Sequence, residues 1–208
     1  MQAGARHVVI ATDDSRIADE MTARGAQVAM TRGDHNSGTD RLAEVVDQLT
    51  WPDDTVIVNL QGDEPLMPLE NIQRVAAMLA ETSSADIATL MEPLDRAVAD
   101  EPSIVKVVAS ETGRAQYFSR AAIPAHVAGR EAAPLFRHVG LYAYRASFLR
   151  QFVTWPPASL ELSESLEQLR ALAHDVHIQI ELAPKPVPAG VDTKADLEAV
   201  RAHMASGG

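Results

Sequence analysis

The apolar positions of this chain follow two rhythms. Short, nearly unbroken apolar runs end in polar or acidic residues, as in "RHVVIATDD" (Arg6–Asp14), "AQVAMT", "DTVIVNL" and "ADIATLMEPL". Such runs predict strands buried on both faces, as in a parallel sheet. Between them, apolar residues recur at three- and four-residue spacing, which predicts amphipathic helices. "SRIADEMTARG" reads as a helix with Ser15 as N-cap and Gly25 just past its end. "SGTDRLAEVVDQL" carries Leu42, Val45, Val46 and Leu49 on one face, and "LENIQRVAAMLAET" is a third helix. Strand and helix alternating at short spacing is the pattern of an α/β domain.

After Pro93 the rhythm changes. "SIVKVVAS", "RAQYFSR" and "HVGLYAYR" read as strands of a more irregular, mixed sheet. The Ala-, Pro- and Gly-rich stretch "AAIPAHVAGREAAPLF" reads as a long loop, and long loops in compact domains are often functional. "SLELSESLEQLRALAHD" is predicted as one helix with Leu162, Leu166 and Leu169 as its core stripe. "VHIQIELA" is a strand, "TKADLEAVRAHM" a closing helix, and the tail "ASGG" is expected to fray.

Composition narrows the function classes. At 208 residues and 46% hydrophobic content the chain can build one substantial core. There are no cysteines, which excludes disulfides, thiol catalysis and cysteine–zinc sites, and a reducing cytoplasm is the expected compartment. No run is long enough to span a bilayer. A net charge of −11 argues against nucleic acid or an anionic membrane as main partner. A small anionic ligand stays compatible with it, because a local arginine cluster or a metal reverses the local field.

Ligands of open α/β sheets sit outside the carboxyl ends of the strands. "NLQGDEP" (Asn59–Pro65) stands at such an end. Gly62 would let a ligand approach, and Asp63 could hold magnesium against phosphate oxygens. The same residues also fit a plain polar turn. Asp192 in "GVDTKADL" again leaves an apolar segment before a helix, although Thr193 and Asp196 fit a capping box and Asp192 could only favour the helix dipole. In "RGDHNSGTDR" (Arg32–Arg41), Ser37 and Asp40 fit a cap, while the helix start also suits a nucleotide. Arg120, Arg137, His138 and Tyr142 are either ordinary strand-end residues or a grip for a carboxylate. Glu167 and Gln168 fit a solvated face, with Glu167 paired to Arg170.

Taken together, "VIATDD", "MTRGDHNSGTDRLAEV", "DDTVIVNLQGDEP", "VKVV", "YFSRAAIP", "RHVGLYAYR", "LEQLRAL" and "GVDTKADLE" resemble the 3-deoxy-manno-octulosonate cytidylyltransferases, or CMP-KDO synthetases, in order and over nearly the whole chain. The resemblance implies a Rossmann-like nucleotidyltransferase fold, a three-layer sandwich around a mixed, mostly parallel sheet. It implies transfer of CMP from CTP to the acidic sugar KDO, with pyrophosphate released, for lipopolysaccharide biosynthesis. It implies magnesium on Asp63 and Asp192, with these two and Arg120 as the catalytic residues. Ser37, Gly38 and Arg41 are implied at the cytosine, and Gln61, Arg120, His138, Tyr142, Glu167 and Gln168 at the sugar acid. A homodimer is implied as well, with apolar strands around Phe118 and Leu141 as a possible contact.

The expected organisation is a single domain, 1–208, with a nucleotide-binding part at 1–93, a sugar-binding and dimerisation part at 94–190 and a C-terminal helix at 191–208. The family opens with a strand and a loop of the form "PARxxSxRLPGKPL", for which this chain has no counterpart. The resemblance therefore implies a sheet without that first strand and phosphate loop, with Met1 at a position internal to the family pattern. The alternatives are another sugar nucleotidyltransferase or glycosyltransferase, or an inactive truncated fragment.

Overall fold

The computed structural model describes residues 3–206; Met1 and the last two residues of the predicted tail lie outside them. The chain alternates β1 (Val9–Thr12), α1 (Ser15–Ala23), β2 (Gln27–Met30), α2 (Gly38–Gln48), β3 (Val56–Asn59), α3 (Leu69–Glu81) and β4 (Ile87–Leu94). It continues through β5 (Lys106–Ala109), β6 (Ala115–Ser119), β7 (Leu135–Arg145), α4 (Ala146–Phe152), α5 (Ser159–Glu164), α6 (Gln168–Ala173), β8 (Ile178–Leu182) and α7 (Lys194–Ala205).

The strands form two sheets. β1 and β2 pair in parallel by themselves. The larger sheet runs β6-β5-β7-β4-β8, with β3 also on β7. β4 and β8 are parallel, whereas β7 is antiparallel to β3, β4 and β5. The sheet is thus mixed as expected, and its parallel character is confined to β1–β2 and β4–β8. Among the described residues neither β1 nor β3 has a strand on its second edge.

Alternation along the strands separates two apolar faces. On one face, Ile57, Ile87, Tyr144 and Ile178 pack with Val46, Phe148, Leu149 and Leu169 of α2, α4 and α6. On the other, Ala88, Leu90, Val139 and Leu141 meet Val75, Met78 and Leu79 of α3. These are the three expected layers. Phe118 and Leu141 are fully buried inside the subunit, so these two side chains offer no surface for a dimer contact.

Some local expectations are corrected. Asp14, not Ser15, caps α1, because its carboxylate accepts from the Arg16 amide. The single helix expected after Pro157 is split: Ser165 has φ +53°, a left-handed conformation that ends α5 before α6 begins. Leu162 is consequently 69% exposed, while Leu166 and Leu169 stay in the core. The short α4 interrupts no polar pattern and has no glycine or proline signal, so it escaped prediction.

Lys106 is fully buried. Its ammonium donates to the carbonyls of Glu101 at 2.9 Å, Ile104 at 2.6 Å and Arg120 at 2.5 Å. One cation thereby ties β5 to the preceding loop and to the end of β6. Burial disfavours the charged form and lowers its pKa from the ordinary lysine value. Lys106→Met would take the ammonium donor from the carbonyls of Ile104 and Arg120, while that of Glu101 keeps the Ile104 amide at 3.1 Å. The expected loss is about 2–4 kcal/mol, since an unsatisfied buried group costs about 1–3 kcal/mol and removal of the buried charge offsets part of it. Urea unfolding of the two proteins checks this; equal midpoints would contradict it.

Candidate active site

The loop after β3 and the loop before α7 meet. The amide of Val191 donates to the carbonyl of Asp63 at 2.8 Å. Gly190 lies so close that an added Cβ would stand 3.1 Å from that same carbonyl oxygen. Asp63 and Asp192 are therefore carried on joined loops. Their proximity is also felt by Glu64, whose carboxyl is raised by burial first and then by the charges of Asp63 and Asp192, against the opposing Arg137. Thr193 caps α7 through the Asp196 amide, and the Asp196 carboxylate accepts from the Asp192 and Thr193 amides. The capping box accounts for Thr193 and Asp196 and leaves the Asp192 side chain outside it.

No group of three or more acidic or histidine side chains forms a metal cage among the described residues. Two carboxylates on adjoining loops nonetheless suit magnesium, which is usually held by one or two carboxylates together with substrate phosphates. Gly62 has open space where a side chain would stand.

Gln61 reaches from the same loop to β7: its amide nitrogen lies 3.8 Å from where a Cβ on Gly140 would be. Gly140 belongs to a β-bulge. Thr89 pairs with Tyr142 and the next residue, Leu90, with Val139, so β7 carries Gly140 and Leu141 as extra residues. Residues four apart in an extended strand stand about 13 Å apart. Here the rings of His138 and Tyr142 are only 5.2 Å apart. The bulge has re-aimed two side chains to one place, a common use of bulges beside active sites. Phe118 packs edge-on against His138 at 5.0 Å, and Tyr144 stacks on Tyr142 at 5.5 Å. In this dry setting the His138 pKa is pushed down to about 3 and the Tyr142 phenol well above its usual value, both by burial.

Glu167 completes this wall. Its Oε2 accepts a 2.6 Å hydrogen bond from the hydroxyl of Thr39, at the start of α2. Its Oε1 is buried with no hydrogen-bond partner, the only such side-chain nitrogen or oxygen among the described residues. The expected Glu167–Arg170 pairing forms as a long ion pair, but Arg170 is buried and the pair does not lie on a solvated face. The Arg170 guanidinium lies 3.9 Å from Glu167 Oε1, beyond hydrogen-bond distance, and is engaged by Glu161 through two hydrogen bonds, at 2.9 and 2.5 Å. Gln168 follows at the first turn of α6, without a side-chain hydrogen bond among the described residues.

At the other end, the Ser37 hydroxyl caps α2 by accepting from the Asp40 amide at 3.1 Å. A Cβ on Gly38 would meet open space. Arg41 donates to Asp13 at 2.9 Å and Thr31 at 3.1 Å, holding the β1–β2 ribbon to α2, and its guanidinium lowers the Asp13 pKa.

Arg120 sits differently from expectation. Its guanidinium donates to the carbonyls of Glu164 at 2.8 Å, Pro102 at 2.9 Å and Ser165 at 3.3 Å, so it braces the end of α5. Three of its five N–H donors are engaged in this way, which leaves one on each terminal nitrogen for a ligand. Arg137 is likewise engaged, paired with Glu92 and donating to the Val187 carbonyl. The structure thus joins Asp63, Asp192, Gln61, His138, Tyr142, Glu167 and the start of α2 into one chain of contacts. Sequence reasoning missed Thr39 and Thr89. Each shows only as a hydroxyl inside an apolar or capping pattern, a faint signal.

The chain is similar to known proteins over nearly its whole length. The family model described as cytidylyltransferase matches residues 1–178. A 3-deoxy-manno-octulosonate cytidylyltransferase of Hahella chejuensis is 51% identical over 97% of this chain and 82% of its own length. The enzyme of that name from Alcanivorax borkumensis is 48% identical over 98% of this chain and 84% of its own. The solved structure of CMP:2-keto-3-deoxy-manno-octonic acid synthetase complexed with CTP superposes with TM-score 0.90 at 40% identity, covering 99% of this chain and 85% of that one. A 4-diphosphocytidyl-2C-methyl-D-erythritol synthase, 12% identical with TM-score 0.58, shares the fold alone. With its strand-end acids, bulged β7 wall and near-complete match to these enzymes, the chain belongs to the 3-deoxy-manno-octulosonate cytidylyltransferase family of nucleotidyltransferases.

Proposed function

We propose that the protein activates KDO with CTP, giving CMP-KDO and pyrophosphate, and that Asp63 and Asp192 mark the phosphate end of the cleft while His138, Tyr142 and Glu167 mark the sugar end. The observation that carries this reading is the unpartnered, buried Oε1 of Glu167 on the same wall as Gln61, which leads directly to Asp63. A buried carboxylate oxygen with no hydrogen bond, and only the distant Arg170 charge beside it, has room for a donor hydroxyl, and a polyhydroxy acid supplies one.

In the proposed reaction a sugar hydroxyl oxygen bonds to the α-phosphorus of CTP as the bond to the bridging oxygen breaks, pyrophosphate leaves, and the hydroxyl proton passes to solvent. Magnesium, when bound by Asp63 and Asp192, supplies positive charge against the phosphates and acidifies the attacking hydroxyl. The start of α2, with Ser37, Gly38 and Arg41, is the proposed cytosine region. Gln61, His138, Tyr142, Glu167 and Gln168 orient the sugar, and Arg120 takes its carboxylate with the N–H donors that its backbone contacts leave over. The rest is positioning, which phosphoryl transfer chiefly needs. A cytoplasmic enzyme is the natural setting; among the described residues no helix is long and apolar enough to cross a membrane.

Pyrophosphate release from CTP with KDO and magnesium tests the reading, with other nucleotides and acidic sugars as controls. Turnover specific to that pair is expected, and equal use of unrelated sugars would sink it. Asp63→Asn should lower turnover by about 100- to 1000-fold, the scale of losing one preorganised charge-stabilising group, while the melting temperature changes little. Full synthesis at limiting magnesium would refute the metal role.

Arg120→Lys keeps the charge but loses the planar fork. It should raise the KM for KDO about tenfold or more, the scale of one charged hydrogen bond lost. Unchanged KDO kinetics would remove Arg120 from the site. The proposed assembly is a homodimer, and sedimentation at micromolar concentration should find twice the chain mass; a monomer alone would contradict it.

A further inference from the structure

Thr89 is completely buried at the bulge between β4 and β7. Its hydroxyl oxygen has three polar neighbours: the carbonyl of Val139 at 3.0 Å, the carbonyl of Leu141 at 2.9 Å and Nε2 of His138 at 3.0 Å. A hydroxyl has one proton to give. The two carbonyls can only accept, and both stand at the bulge, where the β4 ladder is interrupted. If the hydroxyl proton went to His138, both carbonyls would face a bare oxygen lone pair in a dry interior. Given to the carbonyls, the proton leaves the hydroxyl oxygen as an acceptor towards the imidazole. Nε2 must then carry the ring proton.

We infer that Thr89 is a positioning residue that locks His138 in the neutral Nε2–H tautomer, so that Nδ1 is a pure acceptor facing the cleft. Nδ1 has no protein partner among the described residues. It is not sealed either, because the only buried unpartnered side-chain nitrogen or oxygen among them is Glu167 Oε1. Burial also disfavours the imidazolium, with the pKa pushed down to about 3, so the ring stays neutral across the working range. A neutral acceptor cannot bind a carboxylate, which has no proton to offer. His138 therefore reads a hydroxyl of the substrate, not its acid group. The neighbouring Glu167 Oε1 is an acceptor of the same kind, which gives this wall a preference for a polyol face. That consequence rests on the sugar-acid reading above; the tautomer does not.

The test is the ring-nitrogen spectrum of 15N-histidine-labelled protein at neutral pH, with the His138 signals assigned by their loss in His138→Gln. The expected spectrum shows a protonated Nε2 and a bare Nδ1. In Thr89→Val, which keeps shape and removes the hydroxyl, the tautomer should become mixed or reversed, and Thr89→Ser should restore it. The KM for KDO should rise about tenfold in Thr89→Val and recover in Thr89→Ser, with the KM for CTP unchanged, as for loss of one binding hydrogen bond. A wild-type spectrum with the proton on Nδ1 overturns the inference, as does a folded Thr89→Val that keeps the full Nε2–H signal. Should Thr89→Val not fold, the wild-type spectrum decides between the same two results. A correct tautomer pattern in a protein that does not use KDO would leave the inference standing and overturn the functional reading instead.

Discussion

The bulge in β7 is the constraint on which the rest of the molecule depends. β7 is the strand that β3, β4 and β5 all pair with, so its register sets theirs. A regular strand in that place would carry His138 and Tyr142 to separate points along the sheet. Two extra residues at Gly140 and Leu141 draw the rings together and open room at Gly140 for the Gln61 amide. At the irregularity a single buried threonine hydroxyl lies within hydrogen-bond distance of two carbonyls and has one proton to share between them. An apolar residue at Thr89 would remove that donor from a buried pair of carbonyls, which accounts for a hydroxyl among the buried residues of β4.

Around this wall, contacts distant in sequence make one cleft out of several loops. The Val191–Asp63 hydrogen bond joins the two acid-bearing loops, and the Thr39–Glu167 hydrogen bond joins the start of α2 to the start of α6. The second bond spans 128 residues and ties the proposed nucleotide end to the proposed sugar end. A shift at either end is then felt by a carboxylate that has one oxygen hydrogen-bonded and the other without a hydrogen bond. Lys106 and Arg120 supply a different kind of support. Both use positive charge to gather backbone carbonyls around the end of β6 and the end of α5, which fixes the outer rim.

Much of the fold was legible because burial leaves a periodic trace. All eight strands and most helices followed from apolar runs and their spacing. The single helix expected across Ser165 failed because nothing in "LSESL" announces a left-handed residue; the break is imposed by packing of Leu166 and Leu169 against the sheet. Asp63 and Asp192 were legible as acids at strand ends, but their convergence depends on a backbone bond that sequence does not encode locally. Arg120 was legible as a charge leaving an apolar strand. Its engagement by three carbonyls was not, because those partners come from two other segments. Glu167 looked like a surface residue at helical spacing. It turns inward, with the Thr39 hydroxyl donating to one oxygen from across the fold and the buried Arg170, hydrogen-bonded to Glu161, 3.9 Å from the other.

The central claim is that one continuous cleft runs from the paired aspartates to the bulged wall of β7. A crystal structure with manganese in place of magnesium, a non-hydrolysable CTP analogue and KDO tests it most directly, since manganese is located by its anomalous scattering. The account predicts the metal in contact with both Asp63 and Asp192, and a sugar hydroxyl donating to Glu167 Oε1. Metal bound away from either aspartate, or a sugar seated where Oε1 stays without a donor, would contradict it.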